Sequence, residues 1–302
     1  MGNGPSVIQL IKQSRPINLC LIAIAQFILF IGLNKNNIAV PLNQAKEFIF
    51  IACVLSTLLF TLGGYLINDF FDYENDKLIA KKNRHLSRSQ LLSYYSLSLI
   101  TNFILCLFTC HYLENYPLLI FFLIITTALY SYSSYFKKNK IAGNILVSVL
   151  SAASLSIIII ATELANVSIS NELIEIAIFF MLFIFSLTMA REITKDCEDL
   201  EGDKNFQIKS IPIIYGLDNT KLIINLFHFI LASITLLYIY KHWQNYLLGS
   251  KVISFVIVVT IGIVIYLITI VDNKHGFKQI SNIQKGIFGL GIILLAFELS
   301  IL

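Results

Sequence analysis

The sequence predicts an all-α membrane protein, built as a bundle of nine transmembrane helices in a single domain over residues 1–302. Hydrophobic residues make up 57% of the chain, charged residues only 13%, and the mean hydropathy is +0.77. Soluble domains carry about 25% charged residues. Because a soluble core of this size could not bury so much apolar surface, we expect lipid to surround much of the chain.

Nine apolar segments come close to the length of about 20 residues that a helix needs to cross the hydrocarbon core. The fourth is the shortest. The gaps between segments are short except for 68–89 and 191–218, which hold most of the carboxylates. The predicted helices are 17–33, 47–67, 90–110, 116–132, 141–162, 173–190, 219–240, 251–271 and 284–301.

The basic residues divide unevenly between the two sides of such a bundle. Seventeen Lys and Arg residues fall in the N-terminal tail and the even-numbered gaps, against four in the odd-numbered gaps. Cytoplasmic loops of membrane proteins carry an excess of Lys and Arg. We therefore expect a multi-pass protein with its N-terminus and both carboxylate-rich loops in the cytoplasm and its C-terminus outside.

Two aspartate-rich segments follow the second and sixth predicted helices. They span Asn68–Lys77 and Asp196–Lys204, and the pattern D-x-x-D-x-E-x-D-K occurs in both, offset by 127 residues. Membrane proteins often contain such internal repeats. The sequence thus predicts that helices 1–4 and 5–8 are counterparts, with helix 9 left over.

The spacing within each segment predicts a cation site. Residues at i, i+3 and i+7 fall within about 60° of each other on a helix, so each segment presents three carboxylates on one face. Such like charges are expensive near a membrane unless a cation offsets them, and Mg²⁺ prefers carboxylate and phosphate oxygens. We interpret the pair as a Mg²⁺–diphosphate site; two solvated acidic loops are the alternative. The triads are Asp69, Asp72 and Asp76, and Asp196, Asp199 and Asp203.

Basic side chains in the same loops could complete such a site. Cationic groups and metal ions aimed at a diphosphate leaving group stabilise the charge that develops as its C–O bond breaks. For any single Lys, the simpler alternative is a positive-inside residue with no further role.

The residues around both segments resemble one known family. Asn68–Asp76 matches N-D-x-x-D-x-x-x-D, and Arg191–Asp203 matches R-E-x-x-K-D-x-x-D-x-x-G-D. Together with Arg15-Pro16 and Gly143-Asn144, these motifs resemble the UbiA superfamily of intramembrane prenyltransferases over residues 15 to about 216. In motif context the chain is most similar to the digeranylgeranylglyceryl phosphate synthase-like branch.

This resemblance implies a nine-helix UbiA-type bundle around a central cavity. It also implies Mg²⁺-dependent transfer of an isoprenyl group from a prenyl diphosphate to a lipophilic acceptor, such as a glycerol-phosphate ether lipid or a quinone precursor. The bilayer is the expected environment, and no nucleic acid partner is expected. By carry-over, the metal ligands are Asn68, Asp72, Asp76, Asp199 and Asp203, with Asp69 and Asp196 second in rank. The catalytic residues are Asp72, Asp76, Asp199 and Asp203, and the residues that contact diphosphate are Arg84, Lys137, Lys77 and Lys204.

Two other functions remain open from the sequence. A UbiA-type terpene cyclase would use the same metal–diphosphate site without an acceptor. A cation transporter would place its ionisable residues near the bilayer midplane, whereas the predicted helix interiors are almost free of acids. The motifs leave acceptor identity and prenyl chain length undetermined.

Overall fold

The computed structural model describes residues 14–36, 44–73, 86–114, 116–136, 139–164, 169–205, 207–244 and 247–299. Within these residues the regular structure is helical, apart from one isolated parallel bridge between Asn139 and Lys209. The helices are α1 (Pro16–Asn36), α2 (Gln44–Phe71), α3 (Arg88–Leu113), α4 (Pro117–Ser134), α5 (Lys140–Leu164), α6 (Asn171–Glu198), α7 (Leu200–Asn205), α8 (Ile211–Tyr215), α9 (Leu217–His242), α10 (Leu248–Ile270) and α11 (Lys274–Glu298).

Seven helices among the described residues, α2, α3, α5, α6, α9, α10 and α11, are long and apolar enough to cross a membrane. The apolar parts of α1 and α4 are shorter, Pro16–Gly32 and Leu118–Ser134. The all-helical class is therefore confirmed, whereas the number of nine spans stays a prediction. The chain is an integral, multi-pass membrane protein.

Several helices extend beyond the apolar segments that predicted them. α2 ends at Phe71 rather than at 67, and α6 continues from 190 to Glu198, so both aspartate segments begin inside helices. α11 begins at Lys274, ten residues before the prediction, with the Asn273 side chain accepting a hydrogen bond from the Gly276 N–H. An apolar run predicts only the lipid-spanning part of a helix. Many polar residues also have high helix propensity, and capping residues determine where the helix begins and ends.

The described chain divides into two compact units, the first formed mainly by residues before Phe136 and the second mainly by residues from Phe136 onward. In the first unit α2 packs against α3 and α4, and α3 against α4. Its best-buried cluster includes Leu66, Ile67 and Tyr95. The expectation of one domain over the whole chain stays a prediction.

In the second unit α6 packs against α9 and α11, and α10 packs against both of these helices. The contact between α6 and α11 is close: a Cβ added at Gly291 would lie 2.7 Å from a ring carbon of Phe183. Further along, the Gln284 amide of α11 donates to Thr194 Oγ1 of α6 at 3.1 Å. These contacts fix α6, which carries the start of the second aspartate segment.

Candidate functional site

The last turn of α2 positions the first aspartate segment in the first unit. Leu66 and Ile67 anchor this turn in the core, and an ideal Cβ at Gly63 would lie 2.9 Å from Ser98 Oγ of α3. That close approach of two helices needs a glycine, since any larger residue would push them apart. The packing of these apolar and small residues therefore positions the last turn of α2.

Asp69 is buried at the end of α2, with a side chain 2% exposed. Its Oδ1 atom lies 4.0 Å from Nη2 of Arg15, whose side chain is 43% exposed. The same guanidinium lies over the ring of Tyr65, 4.5 Å from its centroid, and the Asn18 amide donates to the Tyr65 hydroxyl at 3.0 Å. The start of α1 thus supplies a cation to the first aspartate segment.

Asn68 and Asp72 lie one turn apart where α2 ends. The Asn68 amide donates to Asp72 Oδ2 at 3.4 Å, and the Asp72 N–H bonds to the Asn68 carbonyl at 3.0 Å. Both side chains are half-buried. The structure therefore brings two predicted metal ligands into contact. Four predicted site residues, Asp76, Lys77, Arg84 and Lys137, lie outside the described residues.

The second aspartate segment begins in the last turns of α6, in the second unit. Asp196 is 3% exposed and Asp203, seven residues later in α7, is 4% exposed. The α6 helix ends at Glu198, but the Asp199 N–H bonds to the Lys195 carbonyl and the Asp203 N–H to the Asp199 carbonyl, each at 2.9 Å. These bonds preserve helical spacing across the break, so Asp196 and Asp203 share one face.

Lys140, the first residue of α5, joins these two aspartates. Its Nζ atom lies 2.9 Å from Asp196 Oδ1 and 2.7 Å from Asp203 Oδ2, and its side chain is 19% exposed. The contact with Asp203 is an ion pair by distance, without the alignment of a hydrogen bond. Buried carboxylates are tolerated only when a cation or hydrogen-bond donors compensate them. A single ammonium does this for both.

Two further contacts hold this arrangement. The Asn144 amide, one turn after Lys140, donates to Asp196 Oδ2 at 2.8 Å. The backbone N–H of Lys140 donates to the Lys209 carbonyl at 3.0 Å, beside the Asn139–Lys209 bridge. Both oxygens of Asp196 are thus occupied, and the start of α5 is attached to the chain that follows α7.

The other predicted residues of this segment have different surroundings. Asp199 is half-buried between α6 and α7, and Lys204 is exposed. About two turns before Asp199, Glu192 accepts from Arg191 Nη1 at 3.1 Å and from Lys195 Nζ at 2.7 Å. The cytoplasmic end predicted for α6 is therefore a dense set of paired charges.

The carboxylates found here suit a hard cation such as Mg²⁺, although the described part of the chain does not by itself form a complete metal site. No three Asp, Glu, His or Cys side chains among the described residues are grouped as metal ligands. However, Asp196 and Asp203 both lie within 3 Å of one ammonium nitrogen. Two carboxylates therefore converge on a single cation position, which the Lys140 ammonium occupies.

Lys140 and Asn144 are the site residues that sequence reasoning missed. In the sequence, Lys140 is one of the seventeen basic residues of the N-terminal tail and the even-numbered gaps, and Asn144 is part of the Gly143-Asn144 motif. Their partner Asp196 lies more than 50 residues away, so no local spacing connects them. The signal that could have found them is Asn144 itself, a polar residue on the face of an apolar helix one turn from a lysine.

Comparison with known proteins identifies relatives that match most of the chain. Residues 37–283 match the model of the UbiA prenyltransferase family. Digeranylgeranylglyceryl phosphate synthase of Sulfolobus acidocaldarius is 29% identical over 251 residues, which are 82% of this chain and 84% of that protein.

Two solved structures share the fold. One, of digeranylgeranylglyceryl phosphate synthase in membranes, gives a TM-score of 0.72 at 21% identity, covering 98% of this chain and 99% of the other. A UbiA homolog from Archaeoglobus fulgidus bound to GPP and Mg²⁺ gives a TM-score of 0.56 at 15% identity, covering 95% of this chain and 99% of the other.

Proposed function

Because the chain belongs to the UbiA prenyltransferase family and is thus a prenyltransferase, we propose that it transfers an isoprenyl group from a prenyl diphosphate to a lipophilic acceptor with the help of Mg²⁺. The observation that carries this proposal is the buried Asp196–Lys140–Asp203 cluster, where two carboxylates of the family motif converge on one cation position. The solved homolog with GPP and Mg²⁺ supports the choice of donor and metal.

We propose Asn68, Asp72 and Asp76 as metal ligands in the first segment. The support for the first two is their contact, in which the Asn68 amide donates to Asp72 Oδ2 at 3.4 Å. Asp69 is a secondary candidate, because its buried carboxylate lies beside Arg15 and would have to interact with both Arg15 and the metal ion. When bound, Mg²⁺ would neutralise the diphosphate oxygens and so make diphosphate a better leaving group.

In the second segment we propose Asp199 and Asp203 as metal ligands. Asp196 is second in rank, since Lys140 and Asn144 occupy both of its oxygens. The remaining basic candidates, Lys77, Arg84, Lys137 and Lys204, would contact diphosphate as point charges or, for Arg84, in a bidentate manner. The N-terminus and both aspartate segments are proposed to face the cytoplasm.

For the acceptor we propose a lipid with a glycerol-phosphate ether head group. The support is the name of the relatives that match most of this chain, digeranylgeranylglyceryl phosphate synthase. A quinone precursor is the other lipophilic acceptor that the sequence left open.

The test is mass spectrometry of the products formed by purified protein in nanodiscs. The protein is given geranylgeranyl diphosphate and Mg²⁺, with and without each candidate acceptor. We expect a prenylated ether lipid that requires both substrates. A cyclic hydrocarbon formed without acceptor would contradict the transferase proposal and favour the cyclase.

Substitutions then locate the chemistry. We expect Asp72→Ala and Asp203→Ala each to reduce product formation by at least about 100-fold, the scale on which removal of one electrostatic stabiliser acts. Lys278→Met, which removes an exposed lysine of α11, is the matched control and should retain activity. Activity preserved in both aspartate variants would refute the proposed metal residues.

A further inference from the structure

The second aspartate segment contains its own cation. Lys140 Nζ lies 2.9 Å from Asp196 Oδ1 and 2.7 Å from Asp203 Oδ2. A divalent ion that coordinated both of these oxygens would need nearly the same place. The lysine ammonium and such an ion are therefore competitors for Asp203.

The ammonium is held in this place by the backbone and by a neighbouring side chain. The Lys140 N–H is bonded to the Lys209 carbonyl at 3.0 Å, and the Ile208 N–H to the Asp203 carbonyl at 3.0 Å, so short backbone links fix both ends of the ion pair. Asn144 holds the second oxygen of Asp196 at 2.8 Å. These contacts restrict the side chains of Lys140, Asp196 and Asp203, so their ion pairs are a fixed feature of the fold.

The charges of the cluster determine what it can bind. Two carboxylates and one ammonium leave a net charge of −1, so a free divalent ion gains less than it would from two uncompensated carboxylates. It also meets a positive charge a few ångströms away, which weakens binding by at least about tenfold at the effective dielectric of a protein site. A bound diphosphate reduces this repulsion, because its oxygens accept strong hydrogen bonds from the ammonium.

We propose that Lys140 couples metal binding at the second aspartate segment to the arrival of the diphosphate. Without diphosphate, the ammonium occupies Asp203 and keeps divalent ions out. With diphosphate bound, the ammonium donates to a phosphate oxygen, and the Asp203 carboxylate becomes available to the metal. Lys140 is then a diphosphate-binding residue of the prenyl transfer reaction, and this inference rests on the function proposed above.

The test measures metal binding rather than turnover. The full-length protein carries Asp72→Ala and Asp76→Ala so that the first segment does not contribute, and Mn²⁺ binding is followed by electron paramagnetic resonance. In the absence of diphosphate, Lys140→Met should bind Mn²⁺ at least about tenfold more tightly than the parent protein. A purely structural lysine would have the opposite effect, because loosened carboxylates bind metal less well. Unchanged or weaker binding in Lys140→Met overturns the proposal.

Two further variants and one ligand complete the experiment. Lys140→Gln keeps a hydrogen-bond donor without the charge, so it should also bind Mn²⁺ more tightly even if Lys140→Met does not fold. Lys278→Met, at an exposed lysine of α11, should bind as the parent does. Inorganic pyrophosphate should raise the Mn²⁺ affinity of the parent. The increase in Lys140→Gln should be less than one third of the increase in the parent. A protein-free titration is subtracted from both. Equal enhancement in both overturns the coupling.

The outcome is separable from that of the proposed function. If the wild-type protein forms prenylated product while Lys140→Gln and the parent bind Mn²⁺ equally, the coupling fails and the prenyl transfer stands. If Mn²⁺ binding tightens as stated but no prenylated product forms, the role of Lys140 as a competing cation stands and the proposed reaction fails.

Discussion

Replacing Asp196 with alanine tests whether the buried cluster of the second unit is structural. The change removes one contact with Lys140 at 2.9 Å and one with Asn144 at 2.8 Å. Hydrogen bonds to charged groups contribute about 1.5–3 kcal/mol each. Lys140 keeps Asp203 as its partner, so the lower end of this range applies to each contact, and the loss amounts to about 3 kcal/mol.

The assay is thermal unfolding of detergent-solubilised protein, followed with a dye that fluoresces when it reacts with a cysteine thiol. Cys53, Cys110 and Cys197 are buried, so we expect them to react as the protein unfolds, above the constant signal of the exposed Cys20. For a protein of this size, about 3 kcal/mol corresponds to a fall in Tm of roughly 6 °C. Asp196→Asn should lose less, because its amide can still accept from Lys140. A Tm of Asp196→Ala within about 1 °C of the wild-type value would refute the reasoning that the cluster stabilises this unit.

Three other predictions use the same structure. Asn144→Leu should lower the free energy of unfolding by about 1.5–3 kcal/mol, because it leaves one oxygen of a buried carboxylate without its donor; chemical unfolding checks this, and an unchanged midpoint contradicts it. Gly63→Val should cost about 1–3 kcal/mol by overpacking against Ser98, whereas Gly262→Val, where no atom lies within 4 Å of an added Cβ, should change stability by less than about 0.5 kcal/mol. Removal of divalent ions with EDTA should stop product formation and added Mg²⁺ should restore it; product formed at full rate in EDTA would exclude the proposed metal dependence.

Helix positions could be predicted from sequence because lipid imposes a strong local signal. An apolar run of about 20 residues has few alternatives to a membrane-spanning helix, so each predicted segment coincides with a helix of the structure. The ends were less predictable. Lys274–Ile283 is predicted as a polar loop, yet it forms the first turns of α11, since Asn273 caps it and residues such as Phe277 and Ile280 are buried against other helices.

The aspartates of the candidate site could be found from sequence, but their partners could not. Repetition of a pattern made Asp196 and Asp203 conspicuous, and helical spacing placed them on one face. Lys140 lies more than 50 residues earlier, and its pairing depends on where the start of α5 lies relative to the end of α6. Such a contact is a property of tertiary structure, and neither the composition nor the periodicity of the sequence predicts it.

The length of α6 relates the second aspartate segment to the thickness of the membrane. At 1.5 Å per residue, the 28 residues of α6 extend about 42 Å, against a hydrocarbon layer of about 30 Å. The excess corresponds to about eight residues, and the charged residues of the helix lie at its two ends, with Glu172 and Glu175 at one and the stretch Arg191–Glu198 at the other. This stretch therefore belongs at the level of the lipid head groups, and a thicker bilayer would draw it toward the hydrocarbon at a cost in free energy. Acyl-chain length of the reconstitution lipid is thus an experimental variable that should act on the depth of Asp196 directly.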